Sequence, residues 1–133
     1  MRRKYSSALG LAFGFLLLAL PAVAHHAVVA EFDTTKVFSV KGTISKLEWV
    51  NPHVYIYVDV KQDDGTVATY SFGNPSPGYL RRCGVTKATF NVGDQVTIDA
   101  FAPKDGSKNL GFLKQVHFAD GRTIVMSANG QSD

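Results

Sequence analysis

The residue types best suited to chemistry in this sequence are histidines, and three of the four stand where ligands could cluster. His25 and His26 are adjacent, and His53 follows the chain break at Asn51-Pro52. A histidine at a free N-terminus chelates a metal ion through its α-amine and its imidazole Nδ1, closing a six-membered ring. Two nitrogens do not make a specific site, and His53 supplies a third. His26 is a fourth ligand or a support for the others, and Glu48 offers a carboxylate. Such a nitrogen-rich set favours copper, the tightest-binding divalent first-row ion, ahead of zinc and nickel. Met126 is the only methionine after residue 24, so Cu(I) would lack thioether ligands and the set points to Cu(II). The same residues also have plainer roles: a terminal histidine pair can be solvated, and a histidine after Asn-Pro can bond its own turn. His117 alternates away from Val116 and Phe118 and reads as a surface or rim residue.

A second constellation is aromatic. Tyr55 and Tyr57 share a strand face with His53, and Trp49 lies just before them. Stacked rings on such a face can hold sugars or other flat ligands. The alternative to metal binding is therefore a binding or accessory module for a small molecule, a glycan or a partner protein. In the plainer reading the tyrosines pack against the N-terminal segment or the Tyr79 helix, and Trp49 is a core or barrel-mouth aromatic. A third reading, copper-dependent oxidative catalysis by a two-histidine site, would need a flat substrate face. No Gly-x-Ser-x-Gly elbow is present, and the carboxylates concentrate in turns such as Asp63-Asp64 and Asp105. The expectation is a binding protein rather than an enzyme.

The amine on His25 depends on what precedes it. Arg2, Arg3 and Lys4 are followed by an apolar run from Leu9 to Leu20, then Pro21 and the small-residue pattern Ala22-Val23-Ala24. That order predicts a signal peptide over residues 1–24, cleaved before His25, with export to the periplasm. Leu9 to Ala24 is too short for a spanning helix, which needs about 20 apolar residues, so no stable membrane anchor is expected after processing. Export colours the single cysteine, Cys83. It cannot form an internal disulfide, and it reads as a small buried apolar side chain at a helix end.

Composition sharpens once that segment is set apart. The 133-residue chain has 14 Lys and Arg against 11 Asp and Glu, and all three surplus positive charges lie in residues 1–24. The remaining 109 residues carry 11 basic and 11 acidic side chains. A domain of zero net charge whose only adjacent basic pair is Arg81-Arg82 lacks the positive groove of a nucleic-acid binder. The expected partners are a metal ion, a small molecule or a periplasmic protein.

Residues 25–133 read as one domain, and its pattern is almost wholly β. Val37–Val50 alternates around Val40, Gly42 and Ile44, then shifts phase to Leu47 and Trp49, as a long strand bending through a bulge would. Val54, Ile56, Val58 and Val60 mark the buried face of a second strand, and Asp63-Asp64-Gly65 turns into a third over Val67–Phe72. Ser76 as cap, Pro77 at the first position and Gly84 as stop predict one short helix. Further strands follow on Val96–Ala102 and Leu110–Phe118, with a short last one at Thr123–Met126. The class is all-β with one short helix. The element order is that of a small five- to six-stranded OB-like barrel, preceded by the cleavable signal-peptide helix.

Taken together, His25-His26, Phe32-Asp33, Gly42-Thr43-Ile44, the string Glu48-Trp49-Val50-Asn51-Pro52-His53, Ser76-Pro77, Gly93-Asp94, Asp105-Gly106-Ser107 and Asp120-Gly121-Arg122 resemble an exported bacterial family, domain-of-unknown-function family 6152. The histidine pair and the E-W-x-N-P-H string are its most specific pieces. Ala27 and Arg82-Cys83-Gly84 depart from the pattern, which has Ser after the histidines and Gly-Trp near the helix end. The resemblance implies a periplasmic location and a small β domain, and it brings no activity to transfer.

Overall fold

The computed structural model describes residues 24–127, with side chains from Val28 onward. The predicted signal peptide lies outside that range apart from Ala24. An eight-residue helix α1 (Ala24–Glu31) leads into β1 (Phe32–Trp49), β2 (Val54–Lys61) and β3 (Val67–Gly73). Helix α2 (Pro77–Arg82) and a 3-10 turn (Lys87–Thr89) precede β4 (Gln95–Pro103), β5 (Leu110–Phe118) and β6 (Thr123–Val125). The segment before Val37, where the sequence pattern marks no element, is thus a helix followed by the first residues of β1. Among the described residues no helix is long and apolar enough to cross a membrane.

Five strands close into a ring in the order β3-β2-β1-β4-β5, completed by a parallel β3–β5 pairing. β6 adds to the free edge of β5, opposite Gln115–His117. β1 serves two halves of the ring. Its first part pairs with β4 as far as Thr43–Gln95, and from Thr43–Asp59 onward it pairs with β2. The change of partner needs Gly42, because a Cβ there would stand 2.3 Å from the Asp59 carbonyl oxygen. A register shift between Ile44 and Lys46 then accounts for the change of phase in the sequence.

The period of two puts one face of each strand inside the ring. Ile44, Val54, Ile56, Val58, Phe72, Ile98, Leu113 and Val116 are fully buried there, and burial of such side chains contributes about 1.5–3 kcal/mol each. Ser76 caps α2 by accepting from the Tyr79 N–H, Pro77 opens it, and Leu80 anchors it to the core. Cys83 departs from expectation: it is exposed. At the end of α2 the inward positions fall to Leu80 and Val85, which leaves Cys83 on the outside.

A smaller apolar cluster lies apart from the main core. Val28 of α1 packs with Phe101, Phe112 and Phe32, and Phe101 and Phe112 are register partners on β4 and β5. The Lys104 backbone N–H donates to the Glu31 carbonyl at 2.8 Å. These contacts lay α1 against the wall of the ring, beside the β3–β5 closure.

Candidate functional site

The docking of α1 creates a cleft of about 330 Å³ over that closure. Val28, Glu31 and Phe32 form one wall, and His53, Tyr55, Ser71 and Gly73 form the other. Leu110, Gly111 and Phe112 of β5 lie between them. Strand alternation explains the set. Tyr55 is the cross-strand partner of Gly73, which pairs in turn with Phe112. Since Gly73 has no side chain, the space beside its backbone stays open. A Cβ there would meet the Phe112 ring at 3.5 Å and the Tyr55 ring at 3.6 Å.

His53 is half-buried between the cis Asn51-Pro52 bond and the start of β2. Its Nδ1 lies 3.2 Å from the Asn74 carbonyl oxygen. A carbonyl only accepts, so Nδ1 carries the proton and Nε2 of the neutral ring is an acceptor. Asn74 is itself fully buried and pinned: its Nδ2 donates to the Phe72 carbonyl at 3.0 Å, and its backbone N–H donates to the Val54 carbonyl at 2.9 Å. The histidine is therefore oriented by the fold. The plainer role expected for His53, a bond within its own Asn51-Pro52 turn, is thus replaced by a bond to Asn74, which follows β3.

The other residues singled out in the sequence are divided among three places. Tyr55, 36% exposed, lines the cleft beside His53. Glu48 and Tyr57 occupy the adjoining outer face of β1 and β2. There Tyr57 donates to Glu48 Oε2 at 3.0 Å, Lys46 donates to Glu48 Oε1, and the Lys46 ammonium sits 5.0 Å from the centre of the Tyr57 ring. The bond from Lys46, then that from Tyr57, hold the Glu48 carboxyl below its ordinary range. Burial, and then the Glu48 carboxylate, push the Tyr57 hydroxyl up. Trp49 faces the other way, packing on the main core with its ring centre 6.5 Å from that of Phe90.

His25 and His26 stand in the first turn of α1, and their side chains lie outside the described residues. Among the described residues, no three His, Cys, Asp or Glu side chains form a group that could hold a metal ion. The carboxylate that does share the cleft with His53 is Glu31. Nothing local in the sequence marks Glu31, since only the docking of α1 brings it near β2. Gly73 could have been noticed, because a glycine inside a strand often marks a close approach.

His117, expected at the surface or rim, has a network of its own on the outer face of β4, β5 and β6. Its Nε2 lies 3.0 Å from Asp99 Oδ2 and its Nδ1 lies 2.9 Å from the Thr123 hydroxyl. Asp99 also accepts from Gln115 at 2.7 Å and from the Ser39 hydroxyl. Burial raises the Asp99 carboxyl, but the bonds from Ser39, Gln115 and His117 outweigh it and leave the group below its ordinary range. These bonds tie β1, β4, β5 and β6 together, which is a structural role.

Comparison with curated proteins found no match. Among solved structures, the chain is similar to the mitochondrial single-stranded DNA binding protein Rim1 from S. cerevisiae. Identity is 13%, the match covers 63% of this chain and 93% of that one, and the TM-score is 0.48. Residues 14–112 match a protein family described as a family of unknown function, DUF6152, and a match over most of the sequence makes the chain a member of that family.

Proposed function

We propose that this protein is an exported, non-catalytic binding module whose ligand is a small molecule held in the cleft between α1 and strands β2, β3 and β5. The observation that carries the reading is the lining itself. Apolar walls from Val28, Phe32 and Phe112 surround a few polar groups, on His53, Tyr55, Ser71 and Glu31. Concave, mostly apolar sites of this size with a few convergent polar groups are the usual form of small-ligand pockets. A fragment screen read by amide NMR shifts tests it. Fragments that bind are expected to move Tyr55, Gly73 and Phe112 together. A screen whose hits all map elsewhere, or that yields none, overturns the reading.

A second reading, copper coordination in the periplasm, is favoured by one feature of His53. The bond from Nδ1 to the Asn74 carbonyl is the kind of outer support that metal-bound histidines have, and it leaves Nε2 to coordinate. Cleavage after Ala24 would put a free amine on His25, six residues before Glu31 in the same helix. Titration of the processed chain with Cu(II), beside the His53→Ala variant and the chain retaining residues 1–24, tests this. The processed chain is expected to bind about tenfold more tightly than either comparison. Equal affinity for all three overturns it.

A further inference from the structure

We infer that the cleft selects a small organic cation, an amine or quaternary ammonium compound the size of choline. The inference rests on the small-molecule reading above and adds the chemical class. Among the described residues that line the cleft, Glu31 is the only carboxylate, and no lysine or arginine accompanies it. Its carboxylate has no hydrogen bond or ion pair with any described residue. Lys104, in the turn after β4, sends its ammonium to the Val29 carbonyl instead, at 2.6 Å.

Three aromatic rings accompany that charge. Phe32 and Phe112 meet with ring centres 5.7 Å apart, inclined by 44°. Tyr55 stands across the gap left by Gly73, on the other side of Phe112. Aromatic faces present negative potential, and rings grouped beside a carboxylate suit a cation with a weakly hydrated, methylated shell. The rings themselves offer a bare metal ion no lone pairs, so their grouping favours the organic cation. An anion would meet Glu31 and the ring faces unfavourably. Nε2 of His53, an acceptor in the neutral ring, can receive a hydroxyl or ammonium proton from the ligand's tail.

The test compares choline with its uncharged carbon analogue, in which a quaternary carbon replaces the nitrogen and shape is retained. Both are titrated into the processed protein while the amide signals of Tyr55, Gly73 and Phe112 are followed. Choline is expected to bind about tenfold more tightly than the analogue, and Glu31→Gln to remove most of that difference. Glu31 is exposed, so the substitution leaves the fold intact. Gly73→Ala is the second variant. Its Cβ meets only ordinary contacts, so the chain folds, yet the methyl group fills the gap and is expected to weaken choline. Equal binding of choline and analogue overturns the cation class and leaves the binding module standing. Absence of any response in the cleft to choline also overturns it, and the fragment screen then decides separately whether the cleft binds anything.

Discussion

Lys104 holds the C-terminal end of α1 by its side chain as well as its backbone: its ammonium donates to the Val29 carbonyl at 2.6 Å. The last carbonyls of a helix have no partner within it, and a cation is favoured there by the helix dipole. An eight-residue helix does not persist alone in water. α1 therefore exists because Val28 is buried against Phe101 and Phe112 and because Lys104 ties its end. Since α1 is one wall of the cleft, the stability of this contact is also the stability of the site.

Lys104→Ala should loosen α1 without unfolding the ring. The ammonium bond is exposed, and an interaction of this kind is worth about 0.5–1 kcal/mol. Hydrogen exchange is the direct measurement. Amides of α1 are expected to exchange about three times faster while those of β2 and β4 stay unchanged. Unaltered exchange in α1 would show that Val28 and the Lys104 backbone bond hold the helix without the ammonium.

Two glycines inside strands should respond unequally to the same change. At Gly42 the added methyl meets the Asp59 carbonyl at 2.3 Å and Val58 Cγ1 at 2.8 Å, and the carbonyl belongs to a paired strand that cannot retreat. Gly42→Ala is expected to lose about 3 kcal/mol in urea unfolding. Gly73→Ala, with contacts at 3.5 Å and beyond, should change stability by less than about 1 kcal/mol. Similar losses for both would mean that β1 does not bend where the register changes.

Local patterns in the sequence are enough for the strands and not for the cleft. Strict alternation from Val54 to Val60 places Tyr55 and Tyr57 outside, and the phase shift after Ile44 announces the bulge. Ser76, Pro77 and Gly84 mark α2 by capping chemistry that acts within a few residues. α1 carries no such mark: its sequence, AHHAVVAE, lacks an apolar stripe, and its helical form depends on distant Phe101 and Phe112. Glu31 joins His53 only through that docking. Glu48 is close to legible, because it faces Tyr55 across the strand pair, but its capture by Lys46 and Tyr57 depends on the register. Cys83 escapes its expected burial because the short turn after α2 gives the inward position to Val85.

Acid should weaken the domain through Asp99. Its folded carboxyl is held below the ordinary range by Ser39, Gln115 and His117 despite partial burial. A depressed folded value means that the stabilisation is complete above the unfolded carboxylate range and disappears as pH falls through the folded value. Asp99→Asn removes the charge and should cost roughly 1–2 kcal/mol at neutral pH. It should also shrink the loss of stability between about pH 5 and pH 2. Urea midpoints across that interval check it. If the Asp99→Asn variant loses as much stability in acid as the parent, the sensitive group lies elsewhere.

Trp49 and Tyr55 lie on opposite faces, and their substitutions should separate stability from binding. Trp49 packs on Phe90 and the main core, away from the cleft. Trp49→Phe removes part of a half-buried ring packed on the core and is expected to lower stability by about 1–2 kcal/mol, with choline affinity unchanged. Tyr55 is exposed along one side and lines the cleft. Tyr55→Ala should alter stability by less than about 1 kcal/mol and weaken choline about tenfold, since it removes one of three ring faces. Urea unfolding and NMR titration on the same two variants give both quantities. If Trp49→Phe weakens choline as much as Tyr55→Ala does, affinity follows overall stability, and the cleft beneath α1 is not where the ligand sits.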